Sequence, residues 1–358
     1  MSDKKIRTGI FGGSFDPVHL GHVELVRTLK RRENLDKVVI IPAFVSPWKL
    51  DRLPASAEDR LQMLRMAFRE DPYVEISDFE IRQNKSCYTY DTLKTLRDTH
   101  TDWEIFFITG KDQAENLKAW YRGEDLLREF RFIWTERFFD ISSTRIRELV
   151  KYGGNPADML SPGVWDHIRI HGLYAEAGNT FYDRLLAFVK GRIKETRYQH
   201  TLGVVKMAEM LALRYGADVQ KARIAAVFHD AFREKGNLEH GAAAADYLEY
   251  EFGLKDPEIL DAIRWHTTGR PGMCLLEKIL KIADNLEEGR NYPGVEDLRH
   301  SISDNVDETL LKLMKHTKEY VLSVGGNYAG ISSLAIEDLE RKLNEQQRTC
   351  IESSSFPR

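Results

Sequence analysis

The sequence predicts two domains, an N-terminal α/β domain built on a Rossmann-like parallel sheet and a C-terminal all-α helical bundle. The chain has 358 residues, enough for two domains of about 150 residues each. From residue 8 to residue 174, short β-prone apolar runs alternate with amphipathic stretches, as in a parallel sheet with crossover helices. Beyond residue 180, strand signals almost vanish and apolar residues recur about every 3.6 positions, which indicates helices.

The individual elements follow from these patterns in chain order. The predicted strands are 8–11, 37–41, 73–76 and 103–109. An amphipathic stretch at 57–68 predicts a helix between the second and third strands. The predicted helices of the second half are 181–194, 200–215, 220–232, 259–265 and 275–286. The small polar stretch at 175–180 predicts the boundary, so we assign 1–176 and 177–350 to the two domains and expect 351–358 to be a disordered tail.

The composition excludes several classes of protein. Apolar residues make up 42% and charged residues 30% of the chain, which argues against a disordered or low-complexity protein. A net charge of -4 gives no overall basic field, so we expect no nucleic-acid or membrane partner. Three distant cysteines and a polar N-terminal segment favour the cytoplasm. The composition does not decide whether the chain forms a homo-oligomer.

Two segments of the first half carry groups that suit phosphate. Gly12 and Gly13 follow the first predicted strand and allow a ligand to approach the backbone. His19 and His22 come next, three positions apart at the start of a helix and beside its positive end. The segment 141–148 places hydroxyl groups and two arginines at another helix start. Each segment alone could instead be a tight turn or an N-cap with a solvated charged face.

Together the two segments resemble the nucleotidylyltransferase superfamily, with its His-x-Gly-His loop and its Ile-Ser-Ser-Thr-x-Ile-Arg segment. Further segments, among them 86–93 (SCYTYDTL) and 161–174 (SPGVWDHIRIHGLY), narrow the resemblance to bacterial nicotinate mononucleotide adenylyltransferases over about residues 6–174. The resemblance implies the nucleotidylyltransferase fold. It also implies transfer of the adenylyl group of Mg²⁺-bound ATP to nicotinate mononucleotide, giving nicotinate adenine dinucleotide and pyrophosphate. Nicotinamide mononucleotide or phosphopantetheine remains an alternative acceptor.

The resemblance assigns roles to individual residues. The catalytic residues it implies are His19, His22, Lys49 and Arg147. The ATP-binding residues it implies are Gly12, Gly13, Ser14, Phe15, His22, Gly110, Asp112, Ile141, Ser142, Ser143, Thr144 and Arg147. Thr89 and Trp120 would bind the mononucleotide. The stretch between Trp120 and Ile141 is shorter than in the family, so the mononucleotide pocket is less completely defined than the ATP pocket.

A group of histidines and aspartates stands out in the second half. Its members are His200, His229, Asp230, His240, His266 and Asp284. A lone histidine on a helix is more often a satisfied core or surface residue. Imidazole and carboxylate groups without thiolate suit Fe, Mn, Zn, Ni or Co, and six ligands suffice for two divalent ions that share a carboxylate. Two-metal hydrolysis of a phosphate is the chemistry that such a group favours.

The spacing of this group resembles the HD superfamily of metal-dependent phosphohydrolases. The segments 197–204 (RYQHTLGV), 262–269 (AIRWHTTG) and 282–290 (IADNLEEGR) narrow the resemblance to bacterial symmetrical diadenosine tetraphosphate hydrolases over about 181–345. The resemblance implies an HD-domain helical bundle that binds two divalent ions, iron being favoured. It also implies cleavage of diadenosine tetraphosphate to two ADP.

The same resemblance divides the ligands between the two ions. His200, His229, Asp230 and Asp284 would hold one ion, and the catalytic Asp230 would bridge to a second ion held by His240 and His266. The candidate phosphate-binding arginines are Arg197, Arg264, Arg270 and Arg290. The spacing between Asp230 and His240 is shorter than in the family, which could relax substrate choice. A general nucleotidase, a guanosine tetraphosphate hydrolase or a regulatory metal-binding module without turnover remains an alternative for this half.

Overall fold

The computed structural model describes residues 5–44, 55–114, 116–136, 141–178, 180–236 and 238–354. The chain divides into two compact units, Met1–Arg169 with Leu173–Ala177 and Ile170–Gly172 with Gly178–Arg358. In this described part of the chain, none of the helices combines the length and the apolar character needed to span a bilayer.

The first unit contains a five-stranded parallel sheet, which confirms the predicted fold class. Its strands are β1 (Ile6–Gly13), β2 (Lys37–Pro42), β3 (Val74–Ile76), β4 (Trp103–Gly110) and β5 (Arg131–Thr135). Their order across the sheet is β3-β2-β1-β4-β5, and every neighbouring pair is parallel. The fifth strand, β5, was absent from the sequence prediction.

Helices cover both faces of this sheet. They are α1 (Leu20–Arg32), α2 (Ala57–Ala67), α3 (Phe79–Arg82), α4 (Thr89–Thr99), α5 (Gly123–Glu129), α6 (Ser143–Lys151) and α7 (Pro162–Ile170). Alternate residues of β2 enter two separate apolar cores. Val38 and Ile40 pack in the core that includes Leu29 of α1, whereas Val39 and Ile41 pack in the core that includes Leu93 of α4. Burial on both faces explains why β2 is a continuous apolar run.

The chain runs from β1 through β2 to β3 on one side of the sheet and then crosses to β4 on the other side of β1. The strand β2 pairs with one edge of β1 and β4 pairs with the other. In open α/β sheets, such a reversal leaves a crevice at the carboxyl ends of the strands involved, where ligands usually bind. Gly12 and Gly13 end β1 and Gly110 ends β4, so these glycines lie at the edge where a ligand is expected.

The second unit is helical, which confirms the predicted all-α class. Its helices are α8 (Phe181–Arg192), α9 (Glu195–Tyr215), α10 (Val219–Phe228), α11 (His240–Tyr250), α12 (Pro257–Trp265), α13 (Leu275–Leu286), α14 (Val295–His300), α15 (Val306–Ser323) and α16 (Gly330–Ser354). Over the described residues, this unit has no strand. The last helix runs into the segment 351–358 that we predicted to be a disordered tail, and residues 355–358 lie outside the described residues.

Two helix ends differ from the sequence prediction in a way that shapes the site. The helix α9 begins at Glu195, so His200 lies within it rather than at its start. The helix α10 ends at Phe228, earlier than the predicted end at residue 232, and His229 forms its C-cap. The chain turns immediately afterwards, with the Ala231 N–H donating to the Phe228 carbonyl at 3.1 Å. Because α10 ends early, the His229-Asp230 pair lies at the C-terminal end of a buried helix.

Candidate active sites

A cavity of about 610 Å³ opens at the carboxyl ends of β1 and β4 in the first unit. Gly12 and Gly13 line it from β1, Gly110 lines it from β4, and His19 and His22 line it from the start of α1. Its volume is in the range of roughly 300–1,000 Å³ that is usual for small-molecule sites. The sheet therefore places the cavity at the edge that its topology predicts.

Most of the residues predicted to bind nucleotide line this cavity. They are Gly12, Gly13, Ser14, His19, His22, Thr89, Gly110, Trp120, Ile141, Ser142, Ser143, Thr144 and Arg147. Phe15 is instead part of the apolar core, and its ring centroid lies 5.1 Å from that of His22. Lys49 lies outside the described residues, as does the side chain of Asp112.

The cavity also contains residues that the sequence prediction missed. Tyr88 and Tyr121 line it, with ring centroids 4.5 Å apart, and both side chains are half exposed. Exposed aromatic faces suit stacking against a planar ring. The sequence carried a signal for both, because each tyrosine is the immediate neighbour of a predicted mononucleotide residue, Thr89 or Trp120.

The two histidines at the start of α1 form a stacked pair. Their ring centroids are 3.7 Å apart. The backbone N–H of His19 donates to Nδ1 of His22 at 3.2 Å, so the neutral His22 ring carries its hydrogen on Nε2. Burial lowers the pKa of His19 to about 4, and burial together with His19 lowers the pKa of His22 well below its usual value. Both rings are therefore neutral near pH 7 and can donate hydrogen bonds without adding charge.

The start of α6 supplies the positive charge of the cavity. The Ser143 hydroxyl donates to the carbonyl of Pro17 at 2.9 Å, which ties α6 to the loop after β1. The Arg147 guanidinium donates to the carbonyl of Asp16 and, at 3.1 Å, to the hydroxyl of Thr144. Arg147 is only 8% exposed. A largely buried guanidinium next to the open N–H groups of a helix start favours binding of phosphate oxygens.

We expect the stability of the first unit to decrease below about pH 6.5 because His19 is buried in its neutral form. Its pKa is about 4 in the folded chain, against 6.5 for an ordinary histidine. The unfolded chain thus binds more protons between these values, and the folded state loses up to about 3 kcal/mol as the pH falls through this window. Calorimetric unfolding of wild type and His19→Asn across this range checks the prediction. The free energy of unfolding of the variant should fall less over this pH range than that of the wild type. An equal fall in both proteins would show that His19 is not the cause.

In the second unit, six side chains converge from five helices and their ends. They are His200, His229, Asp230, His240, His266 and Asp284, and they form three overlapping groups in which the potential ligand atoms lie within 4.8 Å of one another. Every member that the sequence predicted as a metal ligand is therefore part of one cluster. All except His200 and Asp284 are fully or almost fully buried.

The two carboxylate oxygens of Asp230 face different histidines. Oδ1 lies 3.0 Å from Nε2 of His240 and 3.8 Å from Nε2 of His266. Oδ2 lies 3.6 Å from Nε2 of His229 and 4.0 Å from Nε2 of His200. A carboxylate between two sets of imidazoles has the arrangement that a ligand shared by two cations requires.

The second acidic residue of the cluster, Asp284, lies beside one of these two sets of imidazoles. The Asp284 Oδ1 lies 3.1 Å from Nε2 of His200 and 3.7 Å from Nε2 of His229. Burial would raise the pKa of Asp284, but its close contacts with His200 and His229 and the charge of Arg290 hold it well below the usual value. Burial would likewise raise the pKa of Asp230, but His229, His240 and His266 lower it strongly. Both carboxylates are therefore ionised, as metal ligands must be.

The orientation of the buried histidines fits a cation at their centre. Nδ1 of His229, His240 and His266 lies 2.7 or 2.8 Å from a backbone carbonyl oxygen, and a carbonyl can only accept, so Nδ1 carries the hydrogen. With its hydrogen on Nδ1, each ring can present the lone pair of Nε2 to a cation, and the Nε2 atoms of His240 and His266 are only 3.0 Å apart. Nε2 of His229 is buried and has no hydrogen-bond partner among the described residues. Such convergent lone pairs and carboxylates repel each other unless a cation lies between them.

The four candidate phosphate-binding arginines separate into two pairs. Arg197 donates to Oδ2 of Asp230 at 2.9 Å, and Arg290 contacts Asp284 and lies 3.3 Å from Nε2 of His200. The structure thus brings these two arginines to the ligand cluster. The other two form ion pairs with acidic groups outside the cluster: Arg264 with Asp246 and Asp261, and Arg270 with Asp261 and Glu277.

Two cationic residues near the cluster were missed by sequence reasoning. Nη1 of Arg233 lies 3.1 and 3.2 Å from the two ring nitrogens of His240, and its position three residues after Asp230 was the available signal. The buried Lys281 donates to the carbonyls of Thr267 at 2.7 Å and His266 at 3.3 Å. Burial lowers the pKa of Lys281 to about 8. Only the structure reveals Lys281, because a lysine one turn before Asp284 resembles a surface residue in the sequence.

The fold and the two sites define an enzyme with a nucleotidyltransferase half and an HD-type hydrolase half. Residues 10–149 match the cytidylyltransferase-like family, and residues 197–289 match the HD domain family. The chain therefore belongs to two families, with the nicotinate-nucleotide adenylyltransferases in its first half and with the symmetrical bis(5'-nucleosyl)-tetraphosphatases in its second.

Two curated relatives represent these families. The symmetrical bis(5'-nucleosyl)-tetraphosphatase of Bacillus subtilis (strain 168) is 38% identical over 162 residues, which are 39% of this chain and 87% of that protein. A probable nicotinate-nucleotide adenylyltransferase of Enterococcus faecalis is 33% identical over 187 residues, which are 48% of this chain and 85% of that protein. Among solved structures, a predicted HD superfamily hydrolase involved in NAD metabolism from Clostridium acetobutylicum is 32% identical and covers 45% of this chain and 97% of that one, with a TM-score of 0.41.

Proposed function

We propose that the chain is a bifunctional nucleotide enzyme. Its first half transfers the adenylyl group of ATP to nicotinate mononucleotide, and its second half hydrolyses diadenosine tetraphosphate to two ADP. The observation that carries the second activity is the position of Asp230 between two sets of imidazoles. The first activity is supported by the cavity at the ends of β1 and β4 and by the likeness to adenylyltransferases.

In the first half, catalysis depends on positioning and on charge. We expect His19 and His22 to donate hydrogen bonds to phosphate oxygens of ATP, because both rings are neutral and line the cavity. Arg147 and the N–H groups at the start of α6 neutralise the charge that develops on the departing pyrophosphate. The mononucleotide phosphate attacks the α-phosphorus, and the bond from that phosphorus to the bridging oxygen of pyrophosphate breaks. Mg²⁺ enters with ATP.

The aromatic end of the same cavity suits the acceptor. Thr89, Trp120, Tyr88 and Tyr121 all line it. A pyridine ring between aromatic side chains would be held by stacking, while its ribose phosphate extends towards the histidines. Nicotinamide mononucleotide and phosphopantetheine are the competing acceptors, and the experiment below compares them with nicotinate mononucleotide.

In the second half, the residues divide into ligands and phosphate-binding groups. His200, His229, Asp230 and Asp284 would hold one divalent ion, and Asp230, His240 and His266 a second, with iron the favoured metal. When bound, such ions would supply an activated water and would stabilise the charge on the departing ADP. Arg197, Arg233 and Arg290 contact the proposed ligands, and we expect them to bind the phosphate bridge. Arg264 and Arg270 instead support the neighbouring helices through their ion pairs.

Product analysis tests both activities on the same preparation. The full chain is incubated anaerobically with diadenosine tetraphosphate and Fe²⁺ or Mn²⁺, and separately with ATP, Mg²⁺ and each of the three acceptors. We expect two ADP from the first reaction and nicotinate adenine dinucleotide with pyrophosphate from the second. ATP plus AMP as products would refute symmetrical hydrolysis, and faster cleavage of guanosine tetraphosphate in a parallel incubation would refute the proposed hydrolase substrate. Faster transfer to another acceptor would refute the proposed transferase substrate.

A further inference from the structure

Three of the four clustered histidines are oriented by backbone carbonyls, and the fourth is oriented by a side chain. The exception is His200, whose Nδ1 lies 3.0 Å from Oε1 of Glu287. The Glu287 side chain is only 4% exposed, so water does not compete for this contact. A carboxylate is a stronger acceptor for an imidazole N–H than a carbonyl is. His200 is thus the ligand whose orientation depends on one replaceable group.

Neighbouring residues hold the Glu287 carboxylate in this position. The Gly289 N–H donates to Oε2 at 2.6 Å. On α9, Gly203 leaves room for the same oxygen, because a Cβ at that position would lie 2.3 Å from Oε2. A glycine inside a helix destabilises it by about 1 kcal/mol relative to alanine. The need to accommodate Glu287 gives a physical reason for this glycine.

We propose that Glu287 is a positioning residue of the metal centre. Its carboxylate accepts the Nδ1 hydrogen of His200 and thereby fixes the tautomer in which Nε2 is the ligand atom. That atom lies 3.1 Å from Oδ1 of Asp284 and 4.0 Å from Oδ2 of Asp230. The inference rests on the proposed metal centre and not on the identity of the substrate. Loss of a partner that orients a metal-bound histidine typically lowers metal affinity about 10- to 100-fold.

Two variants disturb this contact in different ways. Glu287→Gln removes the charge and keeps the shape of the side chain. Gly203→Ala leaves Glu287 intact but places a methyl group where its Oε2 lies, so the flexible carboxylate must turn away. The matched controls are Glu288→Gln, at an exposed glutamate paired with Lys206, and Gly191→Ala, where an added Cβ meets no atom within 4 Å. Circular dichroism and thermal unfolding of the metal-free chains report on folding.

Two readouts test the proposal in the full chain. Titration of metal-free protein with Mn²⁺, followed by the paramagnetic resonance of the free ion, should show about 10- to 100-fold weaker binding in both variants and none of this loss in the controls. In metal-free protein labelled with ¹⁵N-histidine, Nδ1 of His200 should carry a hydrogen in wild type and should lose it in a fraction of the molecules in the variants. A His200→Gln chain assigns its signals. A purely structural role would change unfolding without changing the protonation of Nδ1.

The outcomes separate this proposal from the proposed function. Unchanged Mn²⁺ affinity in a folded Glu287→Gln chain, or an Nε2–H tautomer of His200 in wild type, would overturn the role of Glu287. If the wild type bound no Mn²⁺ at all, the metal centre itself would fail, and the tautomer measurement would still decide the contact. If metal bound but diadenosine tetraphosphate stayed intact, only the substrate assignment would fail.

Discussion

Replacing Asp230 by asparagine should abolish the hydrolase activity, with a decrease in kcat on the order of 10³-fold or more. Asp230 is the residue whose two oxygens face both sets of imidazoles, His240 with His266 and His200 with His229. Asparagine keeps the shape but removes the charge, and its amide group would turn hydrogens towards one of these sets. The expected metal content, measured by elemental analysis, therefore falls from two ions per chain to one or none.

The control for this variant is Asp246→Asn. Asp246 is exposed and pairs with Arg264 outside the ligand cluster, so its loss should leave metal content and hydrolysis unchanged. Adenylyl transfer by the first half should persist in both variants, and circular dichroism and thermal unfolding report whether the helical second unit is folded. Full hydrolysis by an Asp230→Asn chain that has lost its metal would refute a metal-dependent mechanism. Intact metal content without hydrolysis would restrict Asp230 to a role in the reaction itself.

The members of the histidine and aspartate cluster could be predicted from the sequence, because imidazole and carboxylate groups are rare inside helical cores and are noticed wherever they recur. Their orientation could not be predicted. The carbonyls of Ala226 and Ile263 that receive the Nδ1 hydrogens of His229 and His266 belong to the backbone, and backbone groups carry no sequence signature. The contact between His200 and Glu287 spans 87 positions in the chain, so nothing local indicated it.

The sequence also could not show which arginines lie at the cluster. In the sequence, Arg290 and Arg270 look alike, since each follows a predicted ligand by a few positions. Only the fold shows that Arg290 contacts Asp284, while Arg270 is held by Glu277. The missed strand β5 has a related cause: it is a short edge strand, and its pairing with β4 is a tertiary contact. Local patterns predicted the elements with strong periodicity, and the sheet order required the structure.

For the transferase half, replacing His22 by asparagine should lower kcat for adenylyl transfer about 10²- to 10³-fold with little loss of stability. The ring of His22 has two separate tasks: Nδ1 accepts the backbone N–H of His19 at 3.2 Å, and Nε2–H is left to donate to a phosphate. The oxygen of asparagine can replace Nδ1, but asparagine is too short to replace Nε2–H. Loss of one preorganised donor to developing charge costs about this much in other enzymes.

Glutamine at the same position makes the reverse change and completes the test. The amide N–H of glutamine reaches the position of Nε2–H. Glutamine has no acceptor at the position of Nδ1, so the buried N–H of His19 loses its partner, which lowers the free energy of unfolding by about 1–3 kcal/mol. His22→Gln should therefore keep more activity than His22→Asn and be the less stable of the two. Steady-state kinetics with ATP and nicotinate mononucleotide, together with thermal unfolding, give both rankings. His100→Asn is the control, since His100 stacks on Trp103 and is not among the residues that line the cavity. If the activity ranking were reversed, the donor would not be Nε2–H of His22, and the catalytic contribution of this histidine would come from its support of the loop alone.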